Sequence, residues 1–380
     1  MSKILFVGNY PPPLSGQAIA FKLIYDEYSI EEKSFLINTI EKQGRRSVFF
    51  RLIDYLRVFI KLIYYLVFID IDQVYHIISS NKIGFYRDYL IINISKLFNK
   101  RLVIHSHNGN YGDFYNGSNK SFQNKIKKTI DKVDSIILLS EKLRNTFYFI
   151  EDEKFSFIPN GLPQEIIKDD RQKKRLNKEQ INILFLSNLI ESKGYLDILE
   201  ALRVLKEKGQ IDRFKIHLAG SFMLNMAQDE SYKSIDEAKN LFFGRIKEYG
   251  LDEYLEYHGV VYGEKKDSLL KTANVFLLPT YYNVEAQPIT IIEAMAYGLA
   301  IYSTNYRAIP DMLIDKYNGE FIEQKKPLKL AEKLADISIE KLEKYSSNSL
   351  ALFETKFTKK IHVDSMISLL KNTDFDGKYL

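Results

Sequence analysis

Short runs of aliphatic and aromatic residues alternate with longer segments in which apolar residues recur every three or four positions. The short runs are typical of buried strands and the longer segments of helices. The predicted strands are 4–7, 34–38, 73–78, 101–104, 135–139, 155–158, 181–186, 215–219, 254–258, 275–278, 299–302 and 320–322, with a hairpin-like turn at 318–319 before the last. Because helical segments separate most of these strands, the pattern predicts an α/β fold.

The stretch 274–303 has the pattern of a complete strand, helix and strand. Its first strand, 275–278, is followed by a polar loop and a predicted helix at 288–297. Pro288 is predicted as the first helical residue, where its missing N–H is not needed. Gly298 is predicted to end the helix in the left-handed conformation.

Two carboxylates flank the start of this predicted helix. Glu285 lies in the loop and Glu293 on the helix. A loop that leads from a parallel strand into a helix N-terminus is a common binding place for phosphorylated ligands in open α/β sheets. Carboxylates there can accept hydrogen bonds from hydroxyl groups. The spacing fits equally well a solvated Glu285 and a surface Glu293, so it leaves both interpretations open.

The chain of 380 residues, 46% of them hydrophobic, is longer than one core usually organises. A turn at 158–162 precedes the highly charged segment 168–180, which cannot form a buried element. We therefore predict two α/β domains, 1–165 and 166–355.

Composition excludes several kinds of chemistry. The chain has no cysteine, which rules out disulfides and thiolate catalysis and fits a reducing cytosol. None of the six histidines has the spacing of a metal pair on a helix, and the apolar run at the start is too short for a secretion signal. The net charge of +5 is compatible with an anionic substrate or membrane surface and is too diffuse to indicate nucleic acid.

The segment 43–70 combines basic and aromatic residues. Its basic residues are Arg45, Arg46, Arg51, Arg57 and Lys61. One interpretation is a core helix with a hydrated basic edge. The other is an amphipathic helix, covering 45–68, that lies on an anionic membrane surface. It cannot span a bilayer, because its longest uncharged run, 62–69, is far below the roughly 20 residues required.

Three further loops carry candidate residues. Gly16, after Ser15, lies near the start of a helix and can let backbone amides approach a phosphate or sugar, although most such loops merely turn. His105 and His107 end a strand where a histidine can bind a substrate hydroxyl, and Gly109 predicts that the chain turns there. Lys193 precedes a helix N-terminus and can meet a phosphate, although a solvated lysine is the commoner case.

Several of these segments together resemble one enzyme family. E-A-Q-P-I-T-I-I-E-A-M-A-Y-G is similar to the Glu-x7-Glu signature of retaining GT-B glycosyltransferases of the group 1, family four type. L-F-L-S-N-L-I-E-S-K-G resembles the family's phosphate loop, I-P-N-G-L its domain junction and V-I-H-S-H-N-G its histidine loop. The match extends through almost the whole chain.

The resemblance implies two Rossmann-like parallel-sheet domains that face a central cleft. Residues 1–165 would bind the acceptor, and 166–355 would bind a nucleotide-diphosphate sugar. A C-terminal helix at about 356–380 would pack back on the first domain.

The resemblance also implies a role for each matching residue. As catalytic residues, Glu285 would bind hydroxyls of the transferred sugar and His107 would lie near its reacting carbon. Glu293 would bind the ribose. The remaining implied contacts are Lys193, Gln287 and Pro288 to the diphosphate, Asn188 and Ile289 elsewhere in the donor site, and Ser15 and Gly16 in an acceptor-side loop.

The chain departs from the family pattern at three positions. The family often has a second glycine where this chain has Ser15, and a glycine where it has Ala286. Asn188 stands where an arginine commonly assists the lysine, so one positive charge on the diphosphate is missing or comes from elsewhere. These departures bear on the choice of donor.

The implied activity is hexosyl or N-acetylhexosaminyl transfer, with retention, to a lipid-linked or saccharide acceptor in bacterial surface polysaccharide biosynthesis. No cofactor and no metal is expected, and the two Asp-x-Asp triplets, 70–72 and 374–376, lie in no strand-end loop. The expected location is cytoplasmic, at the inner face of the plasma membrane if 45–68 binds lipid. Nucleic acid is not expected as a partner.

Two other functions remain open. A sugar-nucleotide epimerase would keep the fold and change the reaction, whereas a phosphorylase would need a cofactor lysine whose motif the chain lacks. A degenerate, non-catalytic subunit of a polysaccharide assembly complex is the alternative outside enzyme chemistry.

Overall fold

The computed structural model describes residues 3–12, 16–39, 48–163, 180–225 and 231–371. The chain forms two compact units. The first consists of Met1–Gln164 and Phe357–Leu380, and the second of Glu165–Lys356.

The first unit is built on a six-stranded sheet whose neighbouring strands are all parallel. Its strands are β1 (Ile4–Gly8), β2 (Ser34–Asn38), β3 (Gln73–Ile77), β4 (Arg101–Ser106), β5 (Ser135–Leu138) and β6 (Phe155–Phe157), in the order β2-β1-β3-β4-β5-β6. The helices that alternate with them are α1 (Gly16–Glu31), α2 (Val48–Phe68), α3 (Lys82–Leu97), α4 (Tyr111–Asn116) and α5 (Lys120–Ile130).

The second unit repeats this architecture. Its strands are β7 (Ile181–Leu186), β8 (Phe214–Ala219), β9 (Leu255–Tyr257), β10 (Val275–Leu278), β11 (Ala300–Thr304) and β12 (Gly319–Ile322), in the order β12-β11-β10-β7-β8-β9. Its helices are α6 (Tyr195–Glu207), α7 (Ile235–Tyr249), α8 (Gly263–Thr272), α9 (Ile289–Ala296), α10 (Pro327–Ala335) and α11 (Ile339–Lys356). The parallel pairing confirms the predicted α/β class.

The last helix, α12 (Lys359–Lys371), belongs to the first unit although it follows the second in sequence. Its apolar side joins the core of the first sheet. Met366 is fully buried there with Phe6 and Tyr75. The strands β1 and β3 are buried along their whole length, as expected for a parallel sheet covered on both faces.

The central βαβ unit of the second sheet closely follows the sequence prediction. Gly298 has a φ of +66° and ends α9 as expected. Pro288 is the N-cap residue and not the first helical residue, because its ψ of 113° is extended. The predicted hairpin-like turn at 318–319 is wrong, since β12 pairs with β11 in parallel. The sequence prediction omitted α4, α5 and α8.

Helix α2 has apolar side chains on a buried side and on an exposed side. Val58, Leu62 and Leu66 are buried against the first unit. A second stripe of large apolar side chains is exposed at Ile53, Leu56, Ile60, Ile63, Tyr64, Val67 and Phe68. No helix among the described residues is both long and apolar enough to cross a bilayer.

Candidate functional site

The loops that follow β7 and β10 are joined at the centre of the second sheet. The backbone N–H of Tyr281 donates to the carbonyl of Ser192 at 2.7 Å. Gly194 has a φ of +82°, and a Cβ at this position would lie 2.4 Å from the carbonyl oxygen of Pro279. Only glycine fits both the left-handed backbone and this close approach. The position of Lys193, one residue earlier, is therefore fixed by backbone contacts.

Lys193 and Glu285 form an ion pair at this junction. The ammonium donates a hydrogen bond to Oε2 of Glu285. Each side chain is about 10% exposed. The Lys193 Nζ also lies 4.8 Å from the ring centroid of Tyr282, in the geometry of a cation–π contact. Two residues singled out separately in the sequence thus form one buried, neutral pair.

Glu293 also pairs with a lysine. Its Oε1 accepts a hydrogen bond from Nζ of Lys266, on α8, at 2.8 Å. The side chain of Glu293 is 16% exposed and that of Lys266 25%. Lys266 was not predicted as a site residue, because its helix, α8, has no clear apolar period in the sequence.

The N-terminus of α9 lies between Glu285 and Glu293 in the sequence. Gln287 and Pro288 are buried, and Ile289 is partly exposed. The N–H groups in the first turn of a helix have no carbonyl partner within it, which favours an anion in front of them. Ala286 is buried, and its carbonyl accepts from the N–H of Ala308 at 3.2 Å.

Asn188 lies on the exposed side of the loop after β7. Its Oδ1 accepts a hydrogen bond from the hydroxyl of Ser221 at 3.3 Å. The side chain is thus tied to the loop after β8.

Two further cations of the second unit were not singled out in the sequence. Arg307 has a φ of +52° and donates from Nη2 to the carbonyl of Asn283 at 3.3 Å, within the loop before α9. Lys325 places its Nζ 4.5 Å from the ring centroid of Tyr281. The sequence around neither residue indicates this position, because both come from later elements and contact the loop before α9 only in the folded chain.

The two histidines predicted in the first unit lie side by side. The ring centroids of His105 and His107 are 4.0 Å apart. His105 Nδ1 is 2.7 Å from the hydroxyl of Tyr75, and among the described residues Nε2 of His107 is buried without a hydrogen-bond partner. Burial, reinforced by the nearby His362, lowers the pKa of His107 from 6.5 to about 3. His107 is therefore a neutral imidazole at physiological pH.

The predicted acceptor loop is only partly described. Gly16 is exposed and is the first residue of α1, in keeping with its predicted place near the start of a helix. Ser15 lies outside the described residues.

Two lysine–glutamate pairs on the second parallel-sheet unit, one of them beside the N-terminus of α9, are chemically suited to an anionic ligand with hydroxyl groups. Residues 166–349 match a family model described as glycosyl transferases group 1. Nearly the whole of the second unit is thus similar in sequence to this family. The assignment of Glu285 and Glu293 to a Glu-x7-Glu signature stays a prediction.

The chain is also similar to named bacterial glycosyltransferases. The chain is 27% identical to the putative colanic acid biosynthesis glycosyltransferase WcaL of Escherichia coli K12 over 162 residues, 42% of this chain and 36% of that protein. It is 24% identical over 228 residues to the N,N'-diacetylbacillosaminyl-diphospho-undecaprenol alpha-1,3-N-acetylgalactosaminyltransferase of Campylobacter jejuni, 53% of this chain and 54% of that protein. The matches thus span about a third to a half of these relatives.

The whole fold has solved counterparts. The crystal structure of Anabaena HepE in complex with UDP-glucose superposes with a TM-score of 0.73, covering 98% of this chain and 100% of that one at 14% identity. The two units together have the GT-B fold, as the resemblance implied.

Proposed function

We propose that this protein is a retaining glycosyltransferase that moves a hexosyl or N-acetylhexosaminyl group from a nucleotide-diphosphate sugar to a lipid-linked or saccharide acceptor. The second unit binds the donor and the first unit binds the acceptor. The observation that carries the proposal is the buried Lys193–Glu285 pair beside the N-terminus of α9.

This pair can exchange partners when the donor binds. A diphosphate offers the Lys193 ammonium a more highly charged acceptor than one carboxylate, and it also meets the positive end of the α9 helix dipole. Glu285 is then released to accept hydrogen bonds from sugar hydroxyls. The ammonium stabilises the negative charge that develops on the diphosphate as the glycosidic bond breaks.

Glu293 and Lys266 serve the nucleotide end of the donor in this proposal. The lysine holds the carboxylate in place through its 2.8 Å hydrogen bond. A fixed carboxylate can accept hydrogen bonds from the two ribose hydroxyls. Backbone amides near Gln287 and Pro288 contact the diphosphate, and Asn188 and Ile289 lie elsewhere in the donor site.

His107 is proposed to contact the transferred sugar through its unpartnered Nε2. Because the imidazole is neutral, it can exchange hydrogen bonds with a hydroxyl without adding a positive charge. No metal and no cofactor takes part in the proposed reaction. Ser15 and Gly16 belong to the acceptor side.

The names of the relatives support a role in bacterial surface polysaccharide assembly. They include glycosyltransferases of colanic acid and amylovoran biosynthesis. The Campylobacter relative is named for a diphospho-undecaprenol acceptor, which motivates a lipid-linked acceptor here. HepE was crystallised with UDP-glucose, so uridine nucleotides are the first donors to test.

The proposal is tested by transfer assays with UDP, GDP, ADP and CMP sugars, guided by thermal-shift screening for the nucleotide. The purified protein should transfer one sugar with retained anomeric configuration, measured by NMR of the product. Glu285→Gln should reduce the transfer rate by about 100-fold or more, since it removes a charged contact to the transferred sugar. Glu332→Gln makes the same charge change at an exposed carboxylate and should leave the rate unchanged.

Other outcomes point to the alternatives. Conversion of the free nucleotide sugar into its epimer would indicate an epimerase, and donor binding without turnover on any acceptor would indicate a non-catalytic subunit. Full activity of Glu285→Gln would show that the residue has been assigned wrongly.

We further propose that α2 places the protein on an anionic membrane surface at the inner face of the plasma membrane. Its exposed apolar stripe repeats every three or four residues, as at Leu56, Ile60 and Ile63. Arg57 and Lys61 follow Leu56 and Ile60 by one position, about 100° around the helix. An apolar stripe bordered by basic side chains fits the headgroup region of anionic lipid.

Flotation with phosphatidylglycerol vesicles tests this surface. The wild type should float with these vesicles and less with phosphatidylcholine. The double variant Leu56→Ser/Ile60→Ser should lose flotation, whereas Ile30→Ser/Leu97→Ser, at two other exposed apolar side chains, should retain it. Equal flotation of both double variants would remove the proposal for α2 without affecting the transferase proposal.

A further inference from the structure

Three side chains with metal-binding atoms meet at the β9 edge of the second sheet. His217 lies on β8, Glu256 on β9 and His258 directly after β9. One donor atom from each lies within 4.8 Å of the donor atoms of the other two. None of the three belongs to the proposed donor site.

The strand register explains why they meet. His217 pairs with Glu256 across the parallel β8–β9 ladder, so their side chains point to the same face. His258 is two residues after Glu256 and shares that face. The chain separation of His217 and His258 is 41 residues, so no local motif marks the group.

The distances suit a single ion. His217 Nδ1 is 3.0 Å from His258 Nε2. Oε2 of Glu256 is 3.7 Å from His217 Nδ1, and its Oε1 is 3.5 Å from His258 Nδ1, the other nitrogen of that ring. With one nitrogen taken from each imidazole, the three donor atoms lie within 4.8 Å of one another. Donor atoms about 2.0–2.1 Å from a tetrahedral Zn²⁺ are about 3.3 Å apart, so the side chains would move closer together to complete the coordination.

Burial also differs across the group in a way that suits a bound ion. The side chain of His258 is 9% exposed and that of His217 15%, whereas Glu256 is 55% exposed. The imidazoles form the protected side and the carboxylate forms the solvent side. Lys215, which shares the face of His217, directs its ammonium to the carbonyl of Glu253 at 2.8 Å.

We propose that His217, Glu256 and His258 bind one divalent transition-metal ion of the Zn²⁺ type. Two imidazoles favour such an ion over Mg²⁺ or Ca²⁺, which prefer sites made of oxygen ligands. The ion joins the three-residue strand β9 to β8 and so stabilises the sheet edge. Its role is structural and separate from sugar transfer, which needs no metal in the proposed function.

Calorimetric titration with ZnCl₂ tests the site in chelator-treated protein that carries no histidine tag. The wild type should bind one ion per chain, its thermal midpoint should rise with Zn²⁺, and bound Co²⁺ should give visible d–d absorption. Glu256→Gln, at an exposed side chain, should weaken Zn²⁺ binding roughly tenfold or more without affecting the fold. His217→Gln/His258→Gln should abolish it.

Glu253→Gln is the matched control, because it removes an exposed carboxylate from the same segment. It should bind Zn²⁺ as the wild type does. No Zn²⁺ binding by the wild type would overturn the proposal, as would equal losses in Glu253→Gln and Glu256→Gln. Either result would leave the transferase proposal intact, since that is judged by sugar transfer without added metal.

Discussion

The Lys193–Glu285 pair places two opposite charges in a site that is only about 10% exposed. Removing charges from water is costly, and their attraction offsets that cost only while both partners are present. A ligand that replaces one partner must therefore bring its own charge. This requirement favours a diphosphate over a neutral sugar as the group that displaces Glu285.

The two members of this pair should respond oppositely to substitution. Lys193→Gln should weaken nucleoside diphosphate binding by about 10- to 100-fold, because a charge-assisted hydrogen bond is lost. Glu285→Gln should strengthen binding of the free diphosphate severalfold, because the ammonium no longer has a competing carboxylate. Calorimetry with UDP and GDP measures both effects, and Lys329→Gln, at an exposed lysine, serves as the control. Unchanged affinity in Lys193→Gln would mean that the phosphate is held elsewhere.

The sequence singles out Glu285, Glu293 and Lys193 as candidates through their resemblance to family motifs, but it does not predict the contacts that they make. Their partners follow from packing between distant segments, as with Lys266, which is 27 residues from Glu293. No local pattern encodes such a contact.

The buried histidines of the first unit make its stability depend on pH. Burial lowers the pKa of His362 to about 4 and that of His105 well below 6.5. A histidine whose pKa is depressed in the folded state stabilises the fold above its unfolded pKa and loses this contribution as the pH falls. The window here runs from about 6.5 down to about 4.

We therefore expect the unfolding free energy to fall between neutral pH and about pH 5, with His362 alone contributing about 2 kcal/mol to the loss. Urea unfolding at the two pH values measures it. His362→Gln should be less stable at neutral pH and should show a smaller pH dependence. A wild type equally stable at both pH values would contradict the assignment of these histidines as neutral and buried.

At the scale of elements, the junction of β7 with β10 depends on Gly194. The residue combines a positive φ with a backbone contact that a side chain would occupy. Gly209 provides a comparison, since its φ is +65° but a Cβ there would meet nothing within 4 Å. A substitution at Gly209 would thus introduce backbone strain alone, whereas one at Gly194 would add a steric clash to that strain.

Gly209→Ala should cost about 1–2 kcal/mol, the expected strain of a left-handed alanine. Gly194→Ala should cost clearly more, because the carbonyl of Pro279 must also move. It should also weaken nucleotide binding, since Lys193 moves with the loop. Thermal unfolding and calorimetry measure these effects. Equal costs for both substitutions would show that the contact with Pro279 relaxes freely.

The predicted elements were accurate where apolar runs are long and were incomplete where helices are polar. The strand β10 was predicted at its observed bounds. Helix α8 was missed because its buried residues are confined to the adjacent pair Leu269 and Leu270, which gives no helical period. Helix α5 carried a usable signal, since Phe122, Ile126 and Ile130 recur every four residues.

At the scale of the whole molecule, the chain crosses from the first unit to the second and returns. Leu162 donates its N–H to the carbonyl of Phe357 at 3.2 Å, so the outgoing and returning segments are hydrogen-bonded. The adjacent Gly161 packs closely against His362. A Cβ added at Gly161 would lie 2.5 Å from Cβ of His362. Helix α12, which follows the second unit in sequence, therefore completes the core of the first unit.

This arrangement predicts that a change in α12 destabilises the first unit. Met366 is fully buried in the core cluster that contains Phe6 and Tyr75. Met366→Ala should cost about 2–5 kcal/mol, because it removes apolar contacts and leaves a cavity. Lys360→Ala, on the same helix with a side chain 78% exposed, should change the stability by less than about 0.5 kcal/mol.

The two units can be followed separately by limited proteolysis with mass spectrometry during urea unfolding. In Met366→Ala, cleavage within β1 to β5 should begin at lower urea, whereas cleavage within β7 to β12 should begin at the wild-type concentration. Truncation after Lys356 should have the same direction and a larger effect, since all of α12 is lost. If β7 to β12 lost protection together with β1 to β5, the units would unfold as one cooperative structure, and α12 could not be assigned to the stability of the first unit alone.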